Sequence, residues 1–154
     1  MTNLLKSILL SVFIFNVSAS EIPVEKMWEI KKDAFVNAII KIESNGNEKV
    51  SNNGCVGVLQ IRACMVKEVN QILSKKHIDK RYTLEDRKNK EKSIEMFWIF
   101  QKEHSDTTSF SNMARKWNGG PYGYKSKRTL SYWNKVNKIF GRLLDENVKS
   151  YTKI

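Results

Sequence analysis

Ala38-Ile39-Ile40-Lys41-Ile42-Glu43-Ser44-Asn45-Gly46 carries a helical pattern directly into a chain break. Upstream, Trp28, Phe35, Ile39 and Ile42 recur at helical spacing with Ala38 among them, which predicts a helix over 25–43. Asn45-Gly46 then ends it. Glu43 follows Ile39 by one turn, so it lies about 40° round the helix from a core position. That places a carboxylate at the edge of the apolar face and at a helix end. Apolar surroundings disfavour the charged form and raise a carboxyl pKa. Such a group can stay protonated near neutral pH and act as a general acid. A glutamate at a helix end is also commonly a solvated one, and the position alone does not choose between the two.

Working outward, the same period recurs. Val66, Val69, Ile72 and Leu73 predict a second helix over 63–76, and Ile94, Phe97, Trp98 and Gln101 a third over 84–104. Phe110, Met113, Ala114 and Trp117 mark a short fourth. Leu130, Trp133, Val136, Phe140 and Leu144 mark a fifth. Strand-like alternation is confined to the 50s, where Asn52-Asn53-Gly54 predicts a turn, so residues 44–61 form a loop or a small β-hairpin. The expected class is mainly α, one domain. The chain has 154 residues, 41% of them hydrophobic and 28% charged, which excludes disordered, collagenous and coiled-coil classes. Most of the aromatic stripes read as core packing.

Met1 to Ser20 has one charge, Lys6, then an apolar run from Ile8 to Phe15, and ends in Val17-Ser18-Ala19-Ser20. This is the pattern of a secretory signal peptide over 1–20, leaving a domain over 21–154. The run is short for a membrane span. An uncleaved N-terminal anchor is the competing reading. Either puts the working domain in the periplasm or outside the cell. Formal net charge is +11, and residues 115–154 hold ten Lys+Arg against two acids. Such a lobe suits an anionic partner, or is simply a solvated basic face. For an exported chain, nucleic acid is not an expected partner, and anionic wall polymers are. A monomer is expected. His77 and His104 stand apart, without metal-ligand spacing, so neither metal nor cofactor is expected. Two cysteines are too few for a disulfide framework. Cys55 and Cys64 flank the 57–61 turn; export favours a bridge between them, and their small apolar side chains equally suit buried thiols.

Two further stretches bear on chemistry. In Asn53-Gly54-Cys55-Val56-Gly57-Val58-Leu59-Gln60-Ile61, the glycines permit a tight turn, and Gln60 between Leu59 and Ile61 faces away from them, towards a cleft. In Ala114-Arg115-Lys116-Trp117-Asn118-Gly119-Gly120-Pro121, a helix ends at a break that presents Trp117 and Asn118 at a rim. Each also reads as plain punctuation between helices.

Taken together, Ala38 to Ser44, Gly57-Val58-Leu59-Gln60-Ile61 and Trp117-Asn118-Gly119-Gly120-Pro121 resemble the soluble lytic transglycosylase family. That family has Glu-Ser at a helix end, then a Gly-Leu-Met-Gln-like turn, then Tyr-Asn-Ala-Gly-Pro. Asp86-Arg87-Lys88-Asn89 leading into Phe97-Trp98 is similar to its intervening element. The resemblance spans about 33–140. It implies a lysozyme-like fold that cleaves peptidoglycan glycan strands at the MurNAc-GlcNAc β-1,4 bond. Glu43 would be the catalytic residue, Ser44, Gln60 and Asn118 would bind the sugar's acetamido and hydroxyl groups, and Trp117 would stack on it.

The departures carry information. Trp117 replaces the family's usual tyrosine and Gly119 its alanine. Asn-Gly-Gly-Pro is closer to invertebrate-type lysozymes, which are hydrolases with a second acid, an aspartate shortly after the glutamate. Here no Asp occurs between Ser44 and Ile78, and Glu48 is the only acid in the 44–60 loop. Most glycosidases use two carboxylates. With one, the substrate's own acetamido group supplies the nucleophile and a 1,6-anhydro end results. A hydrolytic muramidase on the same fold and a non-catalytic wall-binding protein are the alternatives.

Overall fold

A computed structural model describes residues 22–105 and 109–153; the segment read as a signal peptide lies outside them. The described residues form five α-helices and a two-stranded antiparallel hairpin. Helix α1 is Val24–Glu43, hairpin strands β1 and β2 are Ser51–Asn52 and Cys55–Val56, and α2 is Ala63–Lys75. Helices α3, α4 and α5 are Lys90–His104, Phe110–Gly119 and Arg128–Thr152. The mainly α class and the hairpin in the 50s agree with the sequence pattern. None of the described helices is long and apolar enough to cross a membrane.

The boundaries follow local chemistry. Helix α1 stops where Asn45 and Gly46 both turn left-handed, at φ 54° and 84°. The third helix does not begin at residue 84: Glu85–Lys88 is a 3-10 turn, and the helix starts after Asn89, whose side chain accepts from the Lys92 N–H at 2.8 Å. An N-cap of this kind satisfies one of the backbone N–H groups that the first turn of a helix leaves without a helical partner. Ser109 caps α4 in the same way, through the Asn112 N–H at 3.3 Å.

The core forms where α1 packs along α5, with α2, α3 and α4 closing round them. Phe35, fully buried, gathers Phe97, Phe110 and Phe140 with ring centres at 6.1, 4.7 and 5.7 Å. Phe35 and Phe97 are fully buried, which contributes roughly 1.5–3 kcal/mol each, and Phe110 and Phe140 are half-buried. Gln101 is also fully buried; its amide donates to the Met113 carbonyl at 3.2 Å, and its Oε1 accepts from Ser105 at 2.7 Å. A buried amide is stable only when so satisfied, and here it ties α3 to α4. On α5 the inward face is broad: Thr129 and Val136 are buried, and Tyr132, Trp133, Ile139, Phe140 and Leu143 pack against the core, while Leu130 is 42% exposed. The sequence stripe holds at Trp133, Val136 and Phe140, fails at the exposed Leu130, and misses Tyr132, Ile139 and Leu143 beside it.

Candidate functional site

Three helix ends and the hairpin turn meet at a cleft of about 500 Å³. Its lining includes Glu43 from the end of α1, Gln60 from the turn, Met65 and Glu68 from α2, and Trp117 and Asn118 from the end of α4. Six of the residues singled out in the sequence thus converge: Glu43, Gln60, Trp117, Asn118 and both cysteines, Cys55 and Cys64.

Glu43 is half-buried, and its Oε1 accepts a hydrogen bond from the Tyr132 hydroxyl at 2.7 Å. Burial pushes its carboxyl above the ordinary carboxylate range, and the Tyr132 bond partly opposes that rise. Burial, then the adjacent Glu43 charge, drives the Tyr132 hydroxyl upward, so it remains a donor. A carboxyl held by one fixed donor and facing a cleft can give up a proton and take one back.

The turn that carries Gln60 is built tightly. Leu59 and Ile61 are buried while Gln60 is half-buried on the opposite side, at φ 50°. Its side-chain amide donates to the Gly57 carbonyl at 2.9 Å, within its own turn. Gly57 has φ 77°, and a Cβ there would lie 1.7 Å from the Arg87 carbonyl oxygen. Arg87 reaches back, its Nη1 donating to the carbonyls of Gly54 at 3.4 Å and Ile61 at 3.3 Å. The 3-10 turn before α3 therefore braces the floor of the cleft.

Trp117 lines the cleft with part of its ring, while the rest packs edge-on against Phe97 at 4.8 Å and Phe100 at 6.0 Å. Asn118 is exposed at the rim. Ser44 sits elsewhere: its hydroxyl donates to the Val58 carbonyl at 2.8 Å and accepts from the Gly46 N–H at 3.1 Å. It joins the end of α1 to the turn and holds Glu43 in place rather than lining the cleft. Cys55 and Cys64 both line the cleft as free thiols, one half-buried and one exposed. They are thus neither bridged nor buried together, and Arg62 Nε lies 3.4 Å from the Cys55 sulfur. Glu48 is exposed in the loop. Among the described residues no group of three or more His, Cys, Asp or Glu is placed to hold a metal ion.

Three contributors were not read from the sequence. Tyr132 is remote from Glu43 in the chain and stands one position before Trp133, beside the stripe that the sequence shows. Arg87 was seen only as part of a motif. Glu68 stands on α2 one residue before Val69, on the flank of the buried stripe, and brings a second carboxylate to the cleft. Its Oε1 lies 2.9 Å from His104 Nε2, close enough for an ion pair when the imidazole is protonated but poorly aligned for a hydrogen bond.

Set against protein-family models, curated proteins and solved structures, the chain matches none of them.

Proposed function

We propose that this protein is an exported peptidoglycan lytic transglycosylase with a lysozyme-like fold, in which Glu43 is the single catalytic acid and base. The observation that carries the reading is the Glu43–Tyr132 pair at the cleft, with Gln60, Trp117 and Asn118 on the same walls. Glu43 protonates the glycosidic oxygen, and the bond from that oxygen to the muramoyl anomeric carbon breaks. The acetamido carbonyl oxygen of the same sugar closes on the anomeric carbon. Glu43, now a carboxylate, takes the proton from the C6 hydroxyl. The C6 oxygen then displaces the acetamido oxygen and closes a 1,6-anhydro ring, leaving Glu43 protonated for the next cycle. Asn118 and Gln60 orient the sugar, Trp117 flanks it, and Ser44 fixes the end of α1. Gly119 fits the same scheme: a Cβ there would lie 2.6 Å from Thr129 Cγ2, so the alanine of the family would crowd α5.

A hydrolytic muramidase is the second reading, and Glu68 favours it. A second carboxylate in the cleft could activate water, although here it faces His104. A wall-binding protein without activity would rest on the basic residues 115–154 alone. Zymography on purified walls tests for cleavage: a cleared band from the parent chain and none from Glu43→Gln supports the proposal, and no clearing by the parent overturns it.

A further inference from the structure

Beside the cleft lies a second hollow of about 420 Å³, lined by Tyr122, Ser126, Arg128 and Thr129 and sharing Asn118 and Gly119 with the cleft. The outer wall is rigid. Thr129 is buried, and its hydroxyl lies within hydrogen-bond reach of the Gly123 and Ser126 carbonyls, at 2.7 and 2.8 Å. It accepts from Arg115 Nε at 3.1 Å, while Arg115 Nη2 donates to the Ser126 carbonyl at 3.2 Å. Gly123 packs so closely on α4 that a Cβ would lie 2.0 Å from the Arg115 carbonyl oxygen.

On this fixed wall the accessible groups are an aromatic ring and cations. Tyr122 is 74% exposed, with Lys125 Nζ 5.8 Å from its ring centre. Arg128 opens into the hollow from the first turn of α5. No acidic residue occurs in the sequence from Arg115 to Leu144. An exposed ring offers a flat apolar face, and a guanidinium matches a carboxylate through two parallel donors.

We infer that this hollow is a second binding subsite for a sugar whose substituent bears a carboxylate, with Tyr122 packing on the ring and Arg128 pairing with the acid. The identity of that substituent, the peptide arm of the muramoyl residue next to the one being cleaved, rests on the proposed function.

The test reads binding rather than cleavage. Soluble peptide-bearing glycan strands are titrated by calorimetry onto Glu43→Gln, alone and combined with Arg128→Ser or Tyr122→Ala. The same strands with their carboxylates converted to methylamides serve as the neutral probe, and circular dichroism checks that each variant is folded. Arg128→Ser should weaken binding of the acidic strands about tenfold, the scale of one charge-assisted contact. It should leave the neutral strands unchanged, whereas Tyr122→Ala should weaken both. Equal affinity of the parent and Arg128→Ser for acidic strands overturns the subsite, as does equal loss on both probes or no binding by any chain. A protein that clears no wall yet shows the Arg128-dependent difference would lose the catalytic reading and keep this one.

Discussion

The Tyr132 hydroxyl donates to Glu43 Oε1 at 2.7 Å across 89 positions of sequence, joining the last residue of α1 to the second turn of α5. Removing that donor leaves the carboxylate form of Glu43 less stabilised, so its pKa, already raised by burial, should rise further in Tyr132→Phe. The high-pH limb of kcat/KM, where the acid form is lost, should move to higher pH, and kcat should fall by about tenfold, the worth of one buried hydrogen bond. A pH–rate profile identical to that of the parent would contradict this.

Glu43→Gln separates activity from stability. Loss of a general acid and base should lower wall cleavage by at least about 10²–10⁴-fold. Stability should move the other way. The folded pKa of Glu43 lies above its unfolded value of 4.5, so the unfolded chain binds fewer protons and stability falls as pH rises through the folded pKa. The amide carries no such burden. Its Tm should exceed that of the parent at pH 7–8, and the gap should close below about pH 4. A gap independent of pH would show that the carboxyl is not perturbed by burial.

The floor of the cleft depends on Gly57. Alanine there meets both a left-handed backbone at φ 77° and the Arg87 carbonyl. The backbone conformation alone costs about 1–3 kcal/mol, and the clash adds to it. Urea unfolding should show at least that loss; a change below about 0.5 kcal/mol, the ordinary surface scatter, would mean the turn is not so constrained.

Both thiols open onto the cleft, Cys64 the more exposed. A bulky maleimide should label Cys64 faster than Cys55 in the native protein and block wall cleavage, with glycan strands slowing the labelling. Failure of either thiol to react before unfolding would show a bridge or burial instead.

Residues 115–154 carry ten cations and two acids, and long-range attraction to an anionic wall should be screened by salt. Wall cleavage should fall as ionic strength passes about 0.15 M, where the Debye length is roughly 8 Å. Activity that is flat from low to high salt would assign these charges to solvation alone.

Much of this arrangement is legible in the sequence because it is local. The end of α1 is written in the apolar period up to Ile42 and in Asn45-Gly46, and the hairpin in Asn53-Gly54. Gln60 reads as cleft-facing because its neighbours Leu59 and Ile61 are apolar. What failed was long-range. On α5 the core takes both the stripe through Trp133 and Phe140 and the adjacent one through Tyr132 and Ile139, and a single helical period shows only the first. Ser44 reads as a sugar ligand until the Val58 carbonyl is found within reach of its hydroxyl. Nothing in the sequence pattern marks Glu68, which flanks the apolar stripe of α2, and only the approach of α2 to the end of α4 brings it to the cleft. With a second carboxylate in the cleft, the reaction product is decisive.

The most direct measurement is therefore mass spectrometry of the muropeptides released from purified walls by the parent chain. The new muramoyl ends should be 1,6-anhydro sugars, one water lighter than reducing ends, and Glu43→Gln should release none. Reducing muramoyl ends would contradict it and assign Glu68 or another base to water activation.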